Sequence, residues 1–493
     1  MKTDPTTENF ILYHGRECAH RLIRWWQVLW YGAVLSAGIL LLLYRWDYFL
    51  MVVTFLGATF YLAVILFKLA AVSASLAPTP GPAAAPAGEP VEYPLYTILV
   101  PLYREAEVAE GIVAALGRLD YPGDRLDVKL LLEEDDAATR EALARIALPP
   151  YVDIVIVPDS LPRTKPKACN VGLARARGEY LVIYDAEDRP DPDQLKKALA
   201  AFAAADVRTA CFQARLNFYN PRQNLLTRWF TIEYTTWFDL FLPGLERLGC
   251  PIPLGGTSNH FRATVLREVG GWDPFNVTED CDLGIRLHKR GFRTRLLDST
   301  TWEEANAELG NWIRQRSRWV KGFFQTHLVH MRPWWRILFA IGPAATLGFV
   351  LTVGGLAAML VMNLFFWLAG GVYAGLLAAD AIAGRNPWTV LAGDRGAARL
   401  AWQMVYTGPR ENPLWSDMSV IFFIVTVTLL LANVVFVAIH IVACFRRGCR
   451  DLIPQALLSP VYWVLISIAA WKGLIQLMTR PFYWEKTRHG LDK

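Results

Sequence analysis

The sequence predicts an α/β catalytic domain, built on a parallel sheet, inserted in an α-helical transmembrane bundle. Three observations lead there. The 493 residues are 54% hydrophobic, and the excess over an ordinary soluble domain is gathered at the two ends. The middle, from Tyr93 to about Asn306, has normal charge density and no apolar run of membrane length. Within that middle, short apolar β-rich runs alternate with helical patterns, as in sheets covered on both faces.

Residues 1–76 hold two expected spans. Val28–Tyr44 and Phe49–Phe67 carry no charge. Each is about 17–19 residues long, near the lower limit for crossing the hydrocarbon core. Arg45, Trp46 and Asp47 form the turn between them. Arg16, Arg21 and Arg24 precede the first span and place the N-terminus in the cytosol; no small-residue cleavage pattern makes that span a signal peptide. Residues 77–92 read as a Pro/Ala linker, APTPGPAAAPAGEP. Residues 93–306 form the domain, and 307–336 lead back to the membrane. Residues 337–478 are apolar again in Ile337–Ala379, Met418–Phe445 and Ala456–Met478, the last interrupted by Pro460 and Lys472. The expectation is two spans before the domain and four after it, with both termini and the tail, 479–493, in the cytosol. Arg446, Arg447 and Arg450 then fall outside, against the charge rule. A single crossing by Ile337–Ala379 brings them inside and leaves the last segment a hairpin or an interfacial piece.

The net charge of +5 is small and not concentrated, which argues against nucleic acid. Seven scattered cysteines with no C-x-x-C pair read as reduced thiols, not as a disulfide frame or zinc site.

Tyr96–Pro101, Leu126–Leu132, Val152–Val157 and Tyr180–Tyr184 read as strands, with helices at about Glu105–Leu119, Ala137–Ala147 and Lys167–Ala176. Parallel sheets bind ligands beyond the carboxyl ends of their strands. Acidic clusters stand there: Glu133-Glu134-Asp135-Asp136 after the second strand and Asp185-Ala186-Glu187-Asp188 after the fourth. Asp185 and Glu187, two apart at a strand end, point the same way and suit Mg²⁺ or Mn²⁺ held together with substrate phosphates. Alone, that pair reads as a solvated acidic loop; within the whole constellation a metal pair is the better reading. A third cluster, Thr278-Glu279-Asp280, opens a helix-like run, so Asp280 reads either as a helix cap or as a general base. Lys167 and Asn170 stand where a loop enters a helix, a geometry that favours anions. Gln315, Arg318 and Trp319 share one helix face, which suits sugar and phosphate or, alternatively, a membrane-interface belt. Residues 222–245 are aromatic and poor in charge, and read as an amphipathic helix in the interface or as a buried core helix.

The ordered set Asp185-x-Glu187, Thr278-Glu-Asp280 and Gln315-x-x-Arg318-Trp319, with membrane spans outside it, resembles the processive family 2 glycosyltransferases, the group of bacterial cellulose, curdlan and hyaluronan synthases. The resemblance covers Tyr93–His330. It implies a GT-A (Rossmann-like) fold, a UDP-sugar donor, a divalent metal and an inverting transfer to a growing β-linked polysaccharide at a bacterial inner membrane, with room for accessory secretion proteins. It assigns Asp185 and Glu187 to the metal, with Asp188 as the alternative partner, because this chain has Glu where the family has a second Asp. Glu133 and Glu134 take the nucleoside side, where the family usually has Asp. Lys167 and Asn170 take the diphosphate. Gly255, Gly256, Thr257 and Ser258 form the loop beside the acceptor sugar. Asp280 is the base, with Glu279 beside it. Gln315 and Arg318 hold the diphosphate and Trp319 the acceptor end. The tail Arg480-Pro-Phe-Tyr-Trp-Glu-Lys-Thr-Arg-His-Gly490 resembles the tails of bacterial β-glucan and exopolysaccharide synthases and suggests UDP-glucose. There Lys486 and Thr487, beside Trp484, are expected to close over the donor, or to anchor the tail at the headgroups. A non-processive enzyme that glycosylates a polyprenyl or other lipid is the nearest alternative. A transporter with a regulatory domain and a metal-binding sensor rank behind it.

Overall fold

The computed structural model describes residues 3–77, 92–332, 334–384 and 414–487. Most of the expected linker, residues 385–413 and the tail beyond 487 lie outside these.

Strands β1 (Tyr96–Leu102), β2 (Leu126–Glu133), β3 (Val152–Val157), β4 (Tyr180–Ile183), β5 (Arg189–Pro190), β6 (Thr209–Phe218), β7 (Asn259–Arg262) and β8 (Arg293–Glu303) form one sheet. Their order is β3-β2-β1-β4-β7-β6-β8-β5. The four strands read from the sequence, β1–β4, pair in parallel. The rest of the sheet is mixed: β7 runs antiparallel to both β4 and β6, and β5 antiparallel to β8. The chain leaves β6 at its carboxyl end and re-enters there as β7, so β7 has to run back along it.

The soluble-domain helices are α4 (Ala109–Leu116), α5 (Ala137–Ala144), α6 (Lys165–Arg175), α7 (Gln194–Ala204), α8 (Leu225–Thr236), α9 (Leu242–Arg247), α10 (Ala263–Glu268), α11 (Glu279–Lys289) and α12 (Leu309–His330); α1 (Pro5–His14), α2 (Trp25–Tyr44) and α3 (Trp46–Leu76) precede them, and α13 (Trp334–Phe349) and α14 (Leu356–Ile382) follow. Alternate residues of β1 build two cores, as strand geometry requires. Ile98 and Val100 pack with Ile112 and Leu116 of α4 and Phe202 of α7. Leu99 packs on the other face with Cys169 and Leu173 of α6 and Leu283 of α11.

Among the described residues, five helices are long and apolar enough to cross a membrane: Trp25–Tyr44, Met51–Leu76, Trp334–Leu368, Leu430–Arg447 and Ser459–Thr479. Three follow the domain, where the sequence suggested four. Ile337–Ala379 is one continuous apolar rod. It kinks where Gly342 (φ 80°) precedes Pro343, then runs on through a wide turn at Val350–Gly355 into α14.

The ends of these helices correct the expected layout. Arg447, closing the 414–447 helix, bonds Asp239 at 2.9 Å and Thr300 at 3.2 Å, and Arg446 bonds the Ser75 carbonyl at 3.2 Å. The arginines therefore lie on the domain side. The Ser459–Thr479 helix is tied to the domain at both ends. Gln455, before it, accepts from Trp229 of α8 at 2.9 Å; Pro481 and Tyr483, after it, accept from Gln325 and Lys321 of α12 at 2.9 and 2.6 Å. Lys472, the cation in its apolar run, pairs with Glu485 of the tail at 2.7 Å. The segment before α2 is also held by the domain, the Ala19 amide donating to Asp273 at 2.6 Å.

The aromatic stretch 222–245 forms α8, a π-turn at Trp237–Phe241 and α9. It is buried on both sides, joining the domain to the apolar helices. Phe241 meets Phe67 of α3 edge-on at 6.4 Å between centroids. A Cβ on Gly244 would sit 1.9 Å from the Ala71 carbonyl oxygen, so only glycine permits this contact.

Gly244→Ala is therefore expected to cost about 1–3 kcal/mol by overpacking, read as a lower Tm in detergent. Gly111→Ala in α4, where a Cβ meets nothing within 4 Å, is the neutral or stabilising control.

Candidate active site

The carboxyl ends of the strands, the start of α11 and one face of α12 converge on a single cavity of ≈ 470 Å³. β2 ends in Glu133, the turn after β4 carries Asp185 and Glu187, and β8 ends in Glu303. The loop before β7 supplies Gly255, Gly256 and Thr257. α11 opens with Glu279 and Asp280, α12 presents Gln315, Arg318 and Trp319, and the tail adds Trp484, Lys486 and Thr487. All of these line the cavity.

Five residues expected in the site stand elsewhere. Lys167 is fully buried and donates to Glu133 and the Pro158 carbonyl, both at 3.0 Å. Residues two apart on a helix point about 200° apart, so Lys165 and Lys167 cannot share a face. Of these two it is Lys165 that lines the cavity, pairing with Asp185 and donating to the Gly256 carbonyl at 2.7 Å. Asn170 instead braces the Trp272 backbone, with bonds of 2.8 and 2.9 Å. Glu134 is exposed and accepts from the Asp159 amide, because it follows the inward Glu133 on an extended chain. Ser258 is buried on Thr301 at 2.6 Å. Asp188, the alternative metal partner, lies behind the cavity, holding the Asp185 amide at 2.7 Å and the Thr257 hydroxyl. Its burial, then the charges on Asp185 and Glu187, push it well above the usual carboxylate range.

Negative charge is crowded here. Burial and the neighbouring Asp280 push Glu279 up to about 8. Burial pushes Asp280 up to about 6, although the Cys281 amide and Lys165 pull it back. Glu303 is raised well above its ordinary value by burial, then by Asp188, Glu187 and Asp185. A Cβ on Gly256 would lie 3.3 Å from Asp280, 3.8 Å from Lys165 and 4.0 Å from Asp185, which shows how closely the three groups meet.

This donor set fits a divalent cation that arrives with a diphosphate. Asp185 and Glu187 both line the cavity, and the surplus of carboxylates is relieved by added positive charge.

Beyond the carboxylates the lining turns aromatic. Trp319 stacks on Tyr234 at 6.1 Å and 27°, and the Arg316 guanidinium lies 4.5 Å over the Trp319 ring. Arg318 sits 4.3 Å over Trp484. Lys486 pairs with Glu105 at 2.9 Å, and Thr487 is buried with its hydroxyl unpartnered among the described residues. The cavity then continues between the apolar helices, past Tyr61, Lys68, Asn363, Phe436, His440 and Trp463.

The sequence reading missed Lys165 and Glu303. Both had a signal: Lys165 is the first residue of its helix, and Glu303 ends a strand at the same edge as Asp185.

A mixed sheet whose carboxyl edge gathers acids, a lysine and an arginine around an aromatic-walled cavity is a GT-A-like arrangement. The family model names its class. The model of the glycosyl transferase family group 2 matches residues 180–471. The chain belongs to that glycosyltransferase family, and five of its described helices are long and apolar enough to cross a membrane. It is 26% identical over 234 residues to "Probable glycosyltransferase YdaM" of Bacillus subtilis (strain 168), covering 47% of this chain and 56% of that protein. It is 27% identical over 213 residues to "Glucomannan 4-beta-mannosyltransferase 7" of Arabidopsis thaliana, covering 42% of this chain and 38% of that protein. The chain thus spans about half the length, or less, of these curated relatives. Among solved structures, the mannosyltransferase PcManGT from Pyrobaculum calidifontis, in complex with GDP-Man and Mn²⁺, aligns with a TM-score of 0.46 at 21% identity, covering 76% of this chain and 97% of that one.

Two outcomes follow from this geometry. Lys165→Ala is expected to weaken nucleotide-sugar binding by about 10-fold or more, the worth of a charged hydrogen bond, with little change in Tm. Lys167→Ala should do the reverse, because it strands the buried Glu133. Titration calorimetry and thermal unfolding of both variants check this. The second outcome concerns pH. With Asp280, raised to about 6, in the role of general base that the sequence reading gives it, kcat/KM should be full above pH 7 and fall as pH drops through about 6. An aspartate at its ordinary value would hold the rate down to about pH 4.

Proposed function

We propose that the enzyme is an inverting, processive membrane synthase that moves a sugar from a UDP-sugar, with UDP-glucose as the first choice, onto a growing β-linked polysaccharide. The observation that carries this is the continuity of the cavity. It starts at Asp185 and Asp280, passes the Trp319–Tyr234 stack and runs on between α3, α14 and the 414–447 and 459–479 helices. A chain extended at Asp280 has a path into the bundle.

In this reading Asp280 takes the proton from the acceptor hydroxyl, whose oxygen then forms a bond to the anomeric carbon as the bond to the diphosphate breaks on the opposite face. Lys165 and Arg318 bind the departing diphosphate, and Gln315, bonded to Asn306 at 2.8 Å, positions it. A divalent ion held by Asp185 and Glu187 would supply further charge neutralisation on the leaving group. Glu133 faces the nucleoside, and Gly255, Gly256 and Thr257 leave room for the acceptor sugar. Trp319 supports the acceptor ring, so that the hydroxyl stays within reach of Asp280. Trp484, Lys486 and Thr487 cover the donor and exclude water. The domain side of the bundle is the cytosol of a bacterial inner membrane. Arg446 and Arg447 on that side follow the positive-inside rule. α2, α3, the 334–382 rod and the 414–447 helix cross, and the 459–479 helix lies along the interface.

The mannosyl transfer named for the Arabidopsis relative favours a second donor, a nucleotide-linked mannose. One experiment tests both. Purified protein in lipid nanodiscs receives labelled UDP-glucose or GDP-mannose with Mg²⁺ or Mn²⁺, and products are sized and digested with linkage-specific hydrolases. Long chains appearing while most donor is unspent support processivity, and Trp319→Ala should shorten them more than it slows donor hydrolysis. A single labelled sugar in the lipid fraction would sink this reading.

A further inference from the structure

The mechanism above leaves Glu303 unused, although it lines the cavity. Its carboxyl makes no hydrogen bond and no ion pair among the described residues, while its backbone carbonyl is taken by the Tyr219 amide at 3.1 Å. A half-buried carboxyl beside three others, with no cation of its own, is costly, and a fold has no structural reason to keep it.

Its place in the sheet says what it faces. One residue earlier on β8, Trp302 pairs with Arg189, which ends the turn carrying Asp185 and Glu187. Glu303 itself pairs with Phe218 of β6. The Phe218 ring lies 4.4 Å from Tyr234, which stacks on Trp319. Glu303 therefore stands between the acids at the diphosphate end and the aromatic pair at the acceptor end. Only one substrate part fits there: the sugar being transferred.

We propose that Glu303 is the sugar-selecting residue of the donor site, its carboxyl group hydrogen-bonding to neighbouring hydroxyls of the transferred hexose. A carboxyl group presents two oxygens to a vicinal diol, both accepting when ionised, one accepting and one donating when protonated. The inference rests on the donor reading above, and its test separates the two.

The full-length protein in nanodiscs, with Mn²⁺, is titrated with UDP and with UDP-glucose, and in parallel with GDP and GDP-mannose. The pair for which the wild type prefers the sugar-bearing ligand identifies the donor. For that pair, Glu303→Ala should erase the preference, a loss of about 10–100-fold for the nucleotide sugar. Affinity for the bare diphosphate should stay within about twofold, which also reports an intact fold, and Glu303→Gln should fall between. A Glu303→Ala protein that keeps the wild-type preference overturns the proposal, as does equal weakening of both ligands. A preference for GDP-mannose moves the donor assignment and leaves the Glu303 comparison readable on that pair.

Discussion

Mutual repulsion among carboxylates sets the terms for this active site. Asp185, Glu187, Glu279, Asp280 and Glu303 face one cavity, with Asp188 just behind. Burial removes the water that would screen them, so each raises the energy of the others. Four have their pKa values pushed far up or into the physiological range. Lys165 and Arg318 relieve part of this charge, but neither pairs with all of the acids. The site is thus short of positive charge, which in the proposed reaction a metal-bound diphosphate would supply. Donor binding and the titration of the base are coupled through the same few ångströms.

The second constraint is mechanical. The domain adds at the scale of single sugars, while the bundle lies beyond α8, α9 and α12. A continuous cavity requires these helices to sit tightly on the apolar ones. The Gly244–Ala71 approach, the Gly473–Ser317 approach and the Arg316–Glu233–Tyr462 cluster do this. The last helix, tied to the domain at both ends, closes the wall and delivers the tail back over Arg318.

Much of this was legible in the sequence, and the failures have physical causes. β1–β4 showed as apolar runs bounded by turns, and the acids at their ends marked the site edge. The mixed half of the sheet was hidden because the direction of β7 depends on which end of β6 the chain rejoins, a long-range pairing that no local pattern records, and β5 is only two residues long. Lys167 was chosen over Lys165 because a helix N-terminus says that anions are near but not which face meets them. Asp188 and Asn170 looked functional and are braces, a distinction that depends on partners far away in the chain, Thr257 and Trp272. At Ser459–Thr479 apolarity gives only length, and the contacts with the domain at both ends favour the interfacial reading that the sequence left open. The arginines at 446 and 447 had already pointed that way.

The central claim is a single path from the carboxylates into the bundle. Cryo-electron microscopy of the enzyme in nanodiscs, turned over with its sugar donor and metal and then frozen, tests it directly. The account predicts glycan density beginning beside Asp280, stacked on Trp319, and continuing past Tyr61 and Trp463 between the apolar helices. Glycan density that leaves Asp280 along the outer surface of the domain, with the cavity between the helices filled by lipid or by side chains, would contradict it.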